Sequence, residues 1–152
     1  MDRIYRETMA AVRKCDTRDP YDLLDAIGAI TRVTDGFDTD GLKGFAMIRK
    51  RTMYAVINGK LDETEQRMIA GHEAAHLILH RQELLTNPAK AMKDFNLFGG
   101  AGRLEYQANR FLADFLVPDE TVLDAVLTEG DYFAIAQRLY LSPDLLGDRA
   151  VA

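Results

Sequence analysis

The chain has 152 residues, 47% of them apolar and 28% charged, with a formal net charge of −5. This is the composition of one ordinary globular domain with enough length for a core, and its acidic balance speaks against an electrostatic nucleic-acid binder. The single cysteine, Cys15, excludes an internal disulfide and fits a reducing compartment. No apolar run is long enough to span a bilayer. The opening MDRIYRETMAAVRK lacks the apolar stretch of a signal peptide, so a cytoplasmic location is expected.

Asp2 to Lys14 reads as a first helix, with Ile4, Met9 and Val12 among charged residues. Asp19-Pro20 is a helix start, a capping carboxylate followed by proline in the first turn. The second helix is expected to carry Leu23, Leu24, Ile27 and Ile30 inward. Asp35-Gly36 and Asp40-Gly41 are turn signals around Phe37. Gly44 to Ile48 and Met53 to Ile57 are β-prone runs separated by Arg49-Lys50-Arg51-Thr52, a hairpin with a basic tip. That tip is read as a solvated turn, with contact to an acidic partner as the alternative.

Asp62 with Glu65 three residues on is a capping-box pattern that opens a central helix, expected to end near Asn87-Pro88. Between Met68 and Leu79 the only polar side chains are His72, Glu73 and His76. A helix apolar on every side is a buried helix, and burying two imidazoles and a carboxylate without partners would cost several kcal/mol. Residues 88–101 contain a proline and two adjacent glycines beside Phe95, Leu97 and Phe98. They read either as a lid beside the site or as an ordinary loop.

Arg103 to Leu116 forms a further helix, stopped by Pro118, with Leu104, Ala108, Phe111, Leu112 and Phe115 as its apolar stripe. Glu105 and Asn109 fall inside that stripe, while Arg103, Tyr106, Gln107, Arg110 and Asp114 fall on the opposite face. Short helices are expected from Asp119 to about Leu127, from Asp131 to Leu139, and from Ser142-Pro143 onward. The reading is a single α+β domain, mainly helical, with a core over 42–118 and a helical tail over 119–152. A small antiparallel hairpin lies beside the central helix.

His72 and His76 are an i, i+4 pair on one helical face, a spacing that closes on one Zn²⁺. Glu73, next to the first imidazole, is placed to act as general base, the arrangement of an H-E-x-x-H metallohydrolase. His80 stands four residues beyond His76, but about 12 Å of helix rise separates it from His72, too far for one shared ion. It reads as structural or as supporting a ligand. Glu105 is the candidate third ligand, the alternative being a pair with an arginine at a helix junction. Asn109 is placed to hydrogen-bond a ligand imidazole and fix its tautomer. The oxyanion donor is open among Tyr106, Tyr132 and Tyr140. The hairpin edge could pair with an extended peptide.

The segments AVIN (55–58), RMIAGHEAAHLILH (67–80) and EYQANRFLADFLVP (105–118) resemble the signature of the ImmA/IrrE-type metallopeptidases. The resemblance covers roughly residues 42–118. It departs mildly at Ala74-Ala75, where a bulky residue and Gly are usual, and at Leu112, where a small residue is common. It implies a gluzincin-like, zincin-type fold. His72, His76 and Glu105 become ligands of one catalytic Zn²⁺, Glu73 the base, and Asn109 the support of a ligand.

It also implies a stand-alone cytoplasmic endopeptidase acting on a protein substrate, a helix–turn–helix repressor of a phage or mobile element. No membrane contact and no direct nucleic-acid binding are expected.

Two other functions stay open. One is a DNA-binding regulatory module, suggested by helix–turn–helix-like spacing around Tyr140-Leu141-Ser142-Pro143. Residues 118–152 set only Arg138 and Arg149 against seven carboxylates, a poor surface for phosphate. The other is a partner-binding or toxin–antitoxin-associated protein whose metal site does no proteolysis. The repressor itself, its cut site, the activating signal and the oligomeric state have no signature in the sequence.

Overall fold

The structure, a computed structural model, describes residues 3–37, 41–86, 102–118 and 120, together with the backbone of 92–94. The expected tail helices, Tyr132 and Tyr140, and all of the proposed lid except residues 92–94 lie outside these. Helix α1 (Arg3–Cys15) is followed by α2 (Pro20–Ala26). Asp19 caps α2 as its sequence suggests, its carboxylate accepting from the Tyr21 amide at 2.9 Å.

The second helix does not reach Ile30. Gly28 takes a left-handed φ of +81°, its N–H bonds to the Asp25 carbonyl, and the Ala29 N–H bonds to Leu24 O, both at 3.0 Å. These paired bonds form a Schellman stop, which glycine adopts at little cost. Ile30 therefore opens a strand, β1 (Ile30–Thr34), whose residues are mostly β-branched.

Strands β2 (Gly44–Arg49) and β3 (Thr52–Asn58) form the expected antiparallel hairpin, with Arg49 opposite Thr52. Lys50 and Arg51 make the turn with φ of 51° and 65°, and Arg49, Lys50 and Arg51 are exposed. The sheet is larger than a hairpin and mixed. Strand β1 runs parallel to β3, and a short β4 (Met92–Asp94) pairs antiparallel with β2, giving the order β1-β3-β2-β4. Gly44, Ala46 and Ile48 on β2, with Ala55 and Ile57 on β3, are buried, following the strand period of two.

The central helix α3 (Glu63–Leu79) lies against this sheet and is buried on all sides from Met68 to Leu77. Asp62 accepts from the Glu65 amide at 2.8 Å. Glu65 turns instead to Lys43, 3.3 Å away, so only half of the capping box forms. The helix breaks earlier than expected. His80 leaves helical geometry at φ −118°, ψ 28°, and α4 (Arg81–Thr86) continues as a separate short helix. Helix α5 (Arg103–Leu116) packs across α3 on the side away from the sheet, with Phe111 and Phe115 fully buried and stacked at 6.1 Å.

Asp114 is a correction to the outward face of α5, being only 1% exposed. Helix α1 covers this side, and Arg18 donates to the carbonyls of Asp114 and Phe115 at 3.0 and 3.1 Å. Arg110 Nε lies 3.8 Å from the Asp114 carboxylate. Among the described residues no helix is long and apolar enough to cross a membrane.

Candidate metal centre

The 3.6-residue period of α3 puts His72 and His76 one turn apart, with their rings edge to face at 4.7 Å between centroids. Their Nε2 atoms are 3.2 Å apart. From α5, Glu105 brings one carboxylate oxygen to 3.0 Å from His72 Nε2 and the other to 3.1 Å from His76 Nε2. The imidazoles are wholly buried and the carboxylate is about a quarter exposed, so the cluster sits where the interior meets solvent.

Each imidazole is engaged through its other nitrogen. His72 Nδ1 is 2.9 Å from Asn109 Oδ1, one turn along α5 from Glu105. An amide oxygen only accepts, so His72 donates from Nδ1 and keeps its lone pair at Nε2. His76 Nδ1 is 2.8 Å from His80 Nδ1, and His80 Nε2 is 2.8 Å from Gln107 Oε1. His80 is buried, and its pKa is held below the usual imidazole range. Burial is the largest cause and the neighbouring His76 adds to it, while the Gln107 hydrogen bond and the charges of Glu83 and Glu105 oppose it.

Glu73 is fully buried on the adjacent face of α3, and its ligating atoms and those of His72 and His76 all lie within 4.8 Å of one another. Gly44, at the start of β2, leaves room above it: a Cβ built there would come within 3.8 Å of the Glu73 carboxyl carbon. The sheet thus roofs the general-base candidate, while α5 flanks the imidazoles. Neutral imidazole and carboxylate are the donor set of a borderline-soft divalent cation, and this cluster can hold one.

The structure brings together His72, Glu73, His76, His80, Glu105 and Asn109, but not Tyr106, the oxyanion candidate among the described residues, which is 61% exposed. Gln107 is the residue that sequence reasoning assigned to the outward face and that the structure turns toward His80. Its one sequence-level signal is indirect: a third histidine on a buried helix needs a polar partner.

Two convergent imidazoles with an adjacent carboxyl, completed by a carboxylate from a second helix on a mainly helical α+β scaffold, are the marks of the metallopeptidase class. The peptidase M78 family, described as the IrrE N-terminal-like domain, matches residues 32–150, and the chain belongs to this ImmA/IrrE family. It is also similar to "Uncharacterized immunity region protein 2" of Bacillus phage phi105. The two are 30% identical over 118 residues, 78% of this chain and 70% of the phage protein.

Proposed function

We propose that this protein is a zinc-dependent endopeptidase of the cytoplasm that cuts a transcriptional repressor of a phage or mobile element. The observation that carries the reading is the convergence of His72 Nε2, His76 Nε2 and the Glu105 carboxylate at 3.0–3.2 Å. With the Nδ1 protons directed elsewhere, these are lone pairs facing one another, which a cation between them would turn from repulsion into bonding. A tetrahedral zinc site with arms of about 2.0–2.1 Å holds its ligand atoms about 3.3–3.4 Å apart. The observed separations need only a slight expansion.

His72, His76 and Glu105 would hold the ion and leave one position open, the mark of a catalytic rather than a structural site. When bound, zinc polarises the scissile carbonyl and acidifies the attacking water. Glu73 takes the proton of that water and delivers it to the leaving amine. Its burial under Gly44 keeps bulk water from competing for the proton. Asn109 holds the His72 ring in orientation. The repressor as substrate is supported by the family resemblance and by the immunity-region name of the phage relative.

The test is incubation of the purified protein with helix–turn–helix repressors of phages and mobile elements, beginning with any encoded next to its own gene. Cleavage should require zinc, and Glu73→Gln should slow it by about 10²–10⁴-fold, the range for loss of a general base, while zinc stays bound. Full cleavage by zinc-loaded Glu73→Gln would overturn the mechanism. An intact repressor captured in a stable complex would favour the non-proteolytic alternative.

A further inference from the structure

The two imidazoles are supported unequally. His72 is held directly by Asn109, whereas His76 is held through a second imidazole, and the far end of that chain is Gln107 on α5. We infer that Gln107 acts through His80 as a positioning residue that fixes which nitrogen of His76 faces the metal. The inference rests on the metal-site reading above and adds to it the direction of the hydrogen-bond chain.

A neutral imidazole has one N–H and one lone pair, so each link dictates the next. Gln107 Oε1 only accepts, and therefore His80 donates from Nε2 across 2.8 Å. His80 Nδ1 is then a lone pair, and it accepts from His76 Nδ1–H, again at 2.8 Å. His76 is left with its lone pair at Nε2, the nitrogen 3.1 Å from Glu105 and 3.2 Å from His72 Nε2. Were the Gln107 amide turned so that its NH2 faced His80, every donor and acceptor would reverse. His76 would then present Nε2–H, which cannot bind a cation.

The same accounting fixes the role of His80. One of its nitrogens faces His76 and the other Gln107, so His80 is a link in the relay and not a fourth ligand. Its departure from helical geometry at the end of α3 accompanies this placement between the two helices. Glu105 and Gln107 thus serve His76 from opposite ends, one at the metal side and one behind the ring. The relay joins the two helices that supply all three candidate ligands.

The test uses Gln107→Met, which keeps the length of the side chain and removes its strong acceptor, with His80→Leu as a second break in the relay. Two readouts apply: the tautomer of His76 by ¹⁵N–¹H correlation NMR in metal-free protein carrying Glu105→Ala, because the Glu105 carboxylate 3.1 Å from His76 Nε2 otherwise draws the proton to that nitrogen, and zinc affinity by chelator competition with Glu105 intact. With Gln107 in place, His76 of the metal-free Glu105→Ala protein should be the Nδ1–H tautomer. Gln107→Met should give a mixture of tautomers and bind zinc about 10–100-fold more weakly, the usual effect of losing a ligand's hydrogen-bond partner. A His76 protonated at Nε2 in the Glu105→Ala protein, or a Gln107→Met variant with unchanged tautomer and zinc affinity, would overturn the relay. Failure of the wild type to take up zinc would overturn the metal-site reading instead, and the tautomer in the metal-free Glu105→Ala protein would still decide the relay.

Discussion

A single methyl group added at Gly44 tests how closely the sheet is held over the metal-site helix. A Cβ built there would lie 2.5 Å from Ile69 Cγ2 on α3 and 2.9 Å from the carbonyl oxygen of Val56 on β3. The Ile69 methyl can turn aside at some rotamer cost. The Val56 carbonyl belongs to the paired hairpin, where Phe45 stands opposite Val56, and it moves only if the strand moves. Gly44→Ala should therefore behave as overpacking and cost about 1–3 kcal/mol. For a domain of this size each kcal/mol lowers the thermal midpoint by roughly 2–4 °C.

Gly71→Ala provides the contrast. Its Cβ would meet Leu112 Cδ1 at 2.4 Å, the far end of a flexible side chain, with Pro20 at ordinary contact beyond. Moving Leu112 costs about 0.5–1.5 kcal/mol, against a gain of about 0.8–1.0 kcal/mol in helix propensity. Its net effect should lie within about 1 kcal/mol of zero. Urea denaturation of the three proteins compares them directly. A Gly44→Ala variant as stable as wild type, or less perturbed than Gly71→Ala, would refute the packing of β2 on α3 described above.

Other consequences follow from single residues. Because burial chiefly holds His80 below the usual imidazole range, the unfolded chain binds that proton more readily. Its contribution to stability is complete above the unfolded value of about 6.5 and shrinks as the pH falls below it. The fall in stability between pH 7.5 and 5.5, followed by denaturant titration, should be shallower in His80→Gln. Asp62→Ala removes the cap on the Glu65 amide and should cost about 1 kcal/mol in the same assay without changing zinc stoichiometry. Arg18→Met should destabilise by about 1.5–3 kcal/mol, the range for hydrogen bonds to a charged group, since Arg18 donates to the last turn of α5.

What the sequence revealed follows the range of the physics involved. The hairpin, the Asp19 and Asp62 caps and the placing of Glu105 and Asn109 on one face of α5 depend on spacings within one element, and the structure places them as expected. Strand β1 was missed: Gly28 followed by a β-branched run is its signal, but the apolar spacing of Ile27 and Ile30 also suits a helix. The break at His80 carries neither glycine nor proline, so nothing local marks it. Asp114 lies 96 residues from the Arg18 that donates to its carbonyl, and periodicity within α5 cannot anticipate the helix that covers it. Gln107 is hidden for the same reason, since its partner is on another helix.

The function proposed for this protein depends on His72, His76 and Glu105 together binding one catalytic ion. Its most direct test is the zinc content of the purified protein beside Glu105→Ala, both loaded with zinc and then dialysed against a mild chelator. The wild type should retain one zinc per chain and the variant should lose most of it, with both proteins folded. A wild type that emerges without zinc, or a Glu105→Ala variant that holds it as firmly, would contradict the claim.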